Sequence, residues 1–138
     1  MKTINVMLDA GAKMPTRAHE SDAGLDIYAR GNWRAKAHSF LSVPTGVHVE
    51  IPKGYVGKLE SKSSLMLKGL TCRGTIDSGY TGEIKAVVFN HSDKDYWIAD
   101  GDKITQLVVY PIVTPAPVEV HALDETERGE GGFGSTGR

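Results

Sequence analysis

Hydrophobic and polar residues alternate along this chain in many short runs, separated by glycine, proline and aspartate. That pattern predicts strands rather than helices. Residues 3–8, Thr3-Ile4-Asn5-Val6-Met7-Leu8, form the first run, and residues 11–18, with Pro15, read as a loop. Residues 23–29 are apolar apart from Asp26. A strand interior normally excludes aspartate, so Asp26 needs a partner or a function. Strands follow at residues 40–43, 47–51 and 55–61, the second with Val47, Val49 and Ile51 on one face and His48 and Glu50 on the other. Later strands are predicted at residues 70–73, 83–90, 96–98, 103–110 and 118–120, the last isolated by Pro115 and Pro117. Residues 61–69 alone have helical character, starting on hydroxyl residues suited to capping and stopping at Gly69. Many short strands with turn residues between them predict an all-β sandwich or barrel.

Two stretches carry candidate chemistry. Gly74-Thr75-Ile76-Asp77-Ser78-Gly79-Tyr80-Thr81-Gly82-Glu83 lies between the strands at 70–73 and 83–90, as the mouth of a hairpin that presents main-chain amides, one carboxylate and one aromatic ring. Asp-Ser-Gly is also ordinary turn chemistry. From Asp124 onward there is no apolar run, and residues 128–138 are rich in glycine. Such a terminus reads either as a disordered tail or as an arm that orders over a ligand. In the second case Arg128 forks onto a phosphate, Ser135 and Thr136 meet anionic oxygens, and Phe133 stacks on a flat ring. It is similar to a phosphate loop in composition only, because no strand precedes it and no helix follows.

Composition narrows the classes. At 138 residues the chain is one domain, large enough to bury roughly 68% of its unfolded surface. A formal net charge of −1 gives no footprint for gripping a nucleic-acid backbone. The single cysteine, Cys72, excludes an internal disulfide framework and a cysteine-rich zinc site, and it suits a reducing cytoplasm. Residues 1–10 have no long apolar core, so neither a signal peptide nor a membrane span is expected there.

Five segments, at residues 23–27, 61–65, 74–83, 101–107 and 128–137, together and in this order resemble the five motifs of the homotrimeric dUTPase family. The third and the fifth, Arg128-Gly129-Glu130-Gly131-Gly132-Phe133-Gly134-Ser135-Thr136-Gly137, are the most specific. The resemblance implies a jelly-roll-like β-barrel over residues 1–123, with one short helix, and a flexible glycine-rich arm over 124–138 that closes on the active site. It implies hydrolysis of dUTP to dUMP and pyrophosphate, by water attacking the α-phosphorus, and hence dUMP supply and exclusion of uracil from DNA. Asp77 matches the carboxylate that deprotonates the water, and Tyr80 the ring packed on the deoxyribose. Uracil would be read by the hairpin through Thr71, Thr75 and Ile76 and the facing Lys85. Lys62, Ser63, Ser64 and Gln106 match phosphate contacts. Arg128, Phe133, Gly134, Ser135 and Thr136 match the closing arm, and Asp26 a supporting acid or a purely structural one. Mg²⁺ would be held by phosphates and waters, with no protein ligand. Each site would be shared among three subunits.

Departures from the family pattern fall at Lys62, where most members have arginine, at Ser61 for proline or alanine, and at Thr71 for an asparagine. Lysine keeps the charge without the bidentate fork. Competing classes are a regulatory module on the same scaffold, binding a protein partner through its arm, and a dCTP deaminase, which shares the barrel. The tail and the Tyr80 context argue against the deaminase. His19, His38, His48, His91 and His121 lack metal-ligand spacing and are read as surface residues. Trp33 and Trp97 are read as packing, and Cys72 as a small buried side chain.

Overall fold

The computed structural model describes residues 2–137; Met1 and Arg138, the ends of the N-terminal stretch and of the arm, lie outside the described residues. Eleven strands and one helical turn follow in the order β1 Asn5–Leu8, β2 Leu25–Tyr28, β3 Trp33–Ala35, β4 Ser39–Pro44, β5 Val47–Glu50, β6 Tyr55–Glu60, α1 Ser63–Met66, β7 Leu70–Cys72, β8 Gly74–Ile76, β9 Lys85–Asn90, β10 Tyr96–Ile98 and β11 Lys103–Pro111. The all-β class is as the sequence predicts. The described strands form four antiparallel sheets, β1-β5, β10-β3, β2-β11-β6-β8 and β4-β9-β7, and not one closed wall.

Period-2 alternation is what buries these strands. In β9, Ala86, Val88 and Asn90 face inward, while Lys85 and Phe89 face solvent. Two apolar clusters result. One gathers Val43, Leu70, Cys72, Val88, Ile98 and Ile104; the other gathers Ile27, Val47, Leu59, Ile76, Ile84 and Leu107. Asn90 is buried in this apolar setting, yet its amide donates to the carbonyls of Ala35 and Lys94 at 2.8 Å, and its oxygen accepts from Ser92. A buried amide is tolerated where its donors and acceptor are paired.

Several sequence expectations are revised. The strand at β3 was not expected, since Trp33-Arg34-Ala35 shows no apolar run, and pairing with β10 creates it. Gly74–Ile76 is itself a strand on β6, so the loop proper begins at Asp77. Residues 118–120 form no strand and are exposed, because within this chain no edge pairs with them. Helix α1 has Lys62 at its N-cap without a side-chain cap, so the hydroxyl capping is absent. Ser61 Oγ instead accepts from the Cys72 N–H at 3.0 Å and lies 3.1 Å from its carbonyl. Gly69, at φ +85°, ends the turn where a side chain is strained. Trp33 is half-buried against the first cluster, as expected, but Trp97 is 70% exposed, with the Arg34 guanidinium 5.3 Å from its ring centroid. No helix among the described residues is long and apolar enough to cross a membrane.

Gly57, on β6, lies under the second cluster. A Cβ there would come within 2.9 Å of Leu107 Cδ1 and 3.0 Å of Ile51 Cδ1. Gly57→Ala is therefore expected to destabilise the fold by about 1–3 kcal/mol through overpacking. The check is a lower urea midpoint with an unchanged slope.

Candidate active site

The structure brings the predicted residues together in two separate groups. The first is set by the register of the central sheet. Gln106 on β11 lies opposite Asp26 on β2 and opposite Glu60 on β6, so one row of the sheet carries two of the predicted side chains with Glu60 beside them. Glu60 leads directly into Ser61 and Lys62. Gln106 Nε2 donates to the Ser61 carbonyl at 3.2 Å, and Lys62 Nζ donates to Asp26 Oδ1. Gly24 makes room for this: a Cβ there would sit 2.2 Å from Gln106 Oε1.

Asp26 is 5% exposed and has two cationic partners, Lys62 and, at 3.2 Å, Lys103. Burial by itself would push its carboxyl up, but the hydrogen bonds and charges of both lysines outweigh that and hold it below the ordinary carboxylate range. Lys103 is raised in turn, chiefly by its hydrogen bond to Asp26. Two cations thus face one buried carboxylate at this place. Ser63 and Ser64 stand exposed beside it at the start of α1.

The second group is the turn after β8. Ile76 is buried and anchors the turn, Asp77 is exposed, and the Tyr80 N–H closes back on the Asp77 carbonyl at 3.1 Å. Gly79 has φ +91°, a conformation that costs glycine nothing. The Tyr80 hydroxyl donates to the Glu83 carbonyl at 2.9 Å, and the ring lies so close over Gly82 that a Cβ there would be 2.5 Å from the hydroxyl oxygen. A cleft of about 280 Å³ opens beside this turn, lined among others by Arg73, Thr75, Asp77, Tyr80 and Lys85. Thr71 does not line it; its hydroxyl bonds His91 Nε2 at 2.8 Å.

The arm meets neither group. Residues 113–130 are exposed, and the hydrogen bonds described for residues 124–137 are internal, such as Arg128 Nε to the Gly131 carbonyl at 2.6 Å. Phe133, at φ +47°, is fully exposed, Gly134 follows at φ +93°, and Ser135 and Thr136 are exposed.

Sequence reasoning passed over three residues. Arg73 lines the cleft, although alternation marks it only as the end of a strand. Lys103 sits inside the fourth motif segment, but only register shows that it reaches Asp26. His48 is not a plain surface residue, since its side chain is 17% exposed and bonded at both ring nitrogens. Cys72 is buried, and burial pushes its thiol up, with partial relief from Thr105. Among the described residues, no three His, Cys, Asp or Glu side chains are grouped to hold a metal ion.

Comparison with known proteins bears on this geometry. The family model described as dUTPase matches residues 10–137. The deoxyuridine 5'-triphosphate nucleotidohydrolase of Eremothecium gossypii is 44% identical over 139 residues, covering 98% of this chain and 91% of its own. The protein of that name from Syntrophotalea carbinolica is 40% identical over 146 residues, covering 99% of each. Among solved structures, the Staphylococcus bacteriophage 80alpha dUTPase with dUpNHpp has a TM-score of 0.93 at 33% identity, covering 100% of both chains. Phage dUTPases are there described as controlling transfer of virulence genes by a proto-oncogenic G protein-like mechanism. A dUTPase variant from phage phi11 of S. aureus, described for its coordination of a structural Mg(II) ion, has a TM-score of 0.82 at 31% identity, covering 89% of this chain and 99% of that one. With the match running through all five motif segments, this chain belongs to the dUTPase family.

Proposed function

We propose that this chain hydrolyses dUTP, as its Mg²⁺ complex, to dUMP and pyrophosphate. The observation that carries this reading is the turn after β8, where an exposed Asp77 carboxylate and a fixed Tyr80 ring face one cleft. Asp77 takes a proton from water as the water oxygen bonds the α-phosphorus and the bond to the β-phosphate's bridging oxygen breaks. General-base catalysis supplies about 10²–10⁴-fold, and positioning and charge stabilisation supply the rest.

Tyr80 sets the sugar. Its hydroxyl is tied to Glu83 and its ring is seated over Gly82, so it has no room to swing aside for a 2′-hydroxyl. Uracil is read by the main chain around Thr75 and Ile76 and at Lys85, while Thr71, outside the cleft and with its hydroxyl engaged by His91, supports the hairpin from β7. Lys62, Ser63, Ser64 and Gln106 take phosphate oxygens. The second lysine on Asp26 is what suits Lys62 to this work: when Lys62 turns to a phosphate, Lys103 still compensates the buried carboxylate. Arg128, Phe133, Gly134, Ser135 and Thr136 close over base and γ-phosphate, excluding water.

The donor set fits a cation brought by the substrate. Asp26 is fully engaged by lysines, and no carboxylate cluster is present among the described residues, so phosphates and waters rather than side chains would hold Mg²⁺. The ion neutralises phosphate charge. Three copies of the chain share each site in this reading. It is supported by the two groups lying apart in one chain and by an arm that leaves Val113, Val118 and Leu123 uncovered. A cytoplasmic setting accords with the single reduced thiol.

A nucleotide panel with product identification tests the reading: pyrophosphate and dUMP from dUTP, little from UTP, dCTP or dTTP, and none with excess EDTA. Ammonia released from dCTP would overturn it. Asp77→Asn is expected to lower kcat by roughly 10²–10⁴-fold while nucleotide affinity, measured calorimetrically, stays close to wild type. A chain ending at Glu127 should lose most turnover yet shift Tm by less than about 2 °C, a change of under 1 kcal/mol at this size. Co-refolding that truncated chain with the Asp77→Asn chain should restore a fraction of the activity, because some sites then combine an intact Asp77 with an intact arm. Additive inactivity would mean that each chain works alone.

A further inference from the structure

We propose that His48, as an imidazolium, is a positioning residue that clamps the Asp77–Glu83 turn to the body of the fold. The inference rests on the reading of that turn as the catalytic one. His48 Nδ1 lies 2.8 Å from the Thr81 carbonyl oxygen and Nε2 lies 3.1 Å from Asp9 Oδ1. Both partners are acceptors only, so both bonds exist together only when both ring nitrogens carry protons. Thr81 follows Tyr80 directly, and the same short stretch carries Asp77 at its other end, closed by the Tyr80 amide.

The remaining ties of this turn to the fold show what His48 adds. The Ile84 N–H donates to the Val47 carbonyl at 2.8 Å, Thr45 Oγ1 donates to the Ile84 carbonyl at 2.6 Å, and Glu83 Oε2 accepts from the Gly46 N–H at 2.9 Å. All three hold the C-terminal end of the turn. His48 grips one step nearer the chemistry, at Thr81, and braces that grip on Asp9 at the end of β1.

The charged groups around the ring all bear on its protonation. Asp9 and Glu83 are negative and face it from the β1 loop and from the turn itself. Glu50 is on the same face of β5, two residues along, and lines the same hollow with Asn5 and Thr81. Arg30 is the opposing cation, 3.7 Å from the other oxygen of Asp9. The Thr81 carbonyl first, and then Asp9, raise the imidazole above its ordinary value of 6.5. A group raised on folding stabilises the folded state fully below its unfolded value, and that stabilisation is lost as pH climbs through the folded value. A neutral ring then turns a lone pair toward one of the two acceptors, and the turn loses either its grip or its brace. Sequence gave no warning, since a polar residue alternating with valines on a strand looks like any solvent-facing position.

The test follows the His48 ring by NMR titration alongside the backbone order of residues 78–82 by relaxation, and kcat/KM across the same pH range. In the wild type, loop order and kcat/KM are expected to fall together as the ring deprotonates, kcat/KM by roughly tenfold, within what small misplacements cost. His48→Gln, whose amide NH2 can still donate to one of the two acceptors and cannot titrate, should flatten the alkaline limb of both profiles. His48→Phe should lower kcat/KM at every pH, chiefly through kcat. A ring that titrates at or below 6.5, or an alkaline limb identical in His48→Gln and wild type, would overturn the proposal. Should the variants fail to fold, the wild-type titration decides alone: order in 78–82 that ignores His48 rejects the clamp. Loop order that tracks His48 while Asp77→Asn keeps its turnover upholds the clamp and rejects the catalytic reading instead.

Discussion

The site rests on a single row of the central sheet, in which Asp26, Gln106 and Glu60 lie side by side on β2, β11 and β6. Side chains in a sheet alternate faces with every residue, so a slip of one position on either side of β11 would send this set to the opposite face. Because Ser61 and Lys62 follow Glu60 without a spacer, the same register fixes where the helical turn begins. Ser61 then pins that start to Cys72 on β7 through two contacts. Three segments far apart in sequence are thereby placed to within a hydrogen bond of one another.

Buried polarity is the second constraint. Among the described residues, Asp26, Thr45, Asn90 and Thr105 are the polar side chains that the fold takes out of water, and each is paired. Unpaired, any of them would cost about 1–3 kcal/mol or more. Asp26 differs from the others in its surplus of partners. A carboxylate held by one lysine could not release it without being left a naked buried charge, whereas one held by two can.

Much of this was legible in the sequence. The all-β class and most strands follow from alternation, as at Val47, His48, Val49 and Glu50, whose burial reproduces the expected faces. The aspartate in the apolar run at 23–29 signalled a partner, and it has two. What stayed hidden depended on pairing. Trp33–Ala35, with an arginine between its apolar residues, becomes a strand only through β10, residues 118–120 have strand chemistry without an edge to join, and Lys103 and His48 acquire meaning only from what lies opposite them. The capping residues at 61–64 were misread for a related reason: a hydroxyl serves whichever unpaired group is nearest, and for Ser61 that group lies on β7.

Cys72 has a practical corollary. The chain's one thiol is walled in beneath the first apolar cluster and kept protonated by its surroundings, which makes it slow toward alkylating and oxidising reagents. A fluorophore or spin label attached through a cysteine introduced into the glycine-rich tail would therefore report from that tail alone. The motion of the tail can be followed in an otherwise unaltered protein.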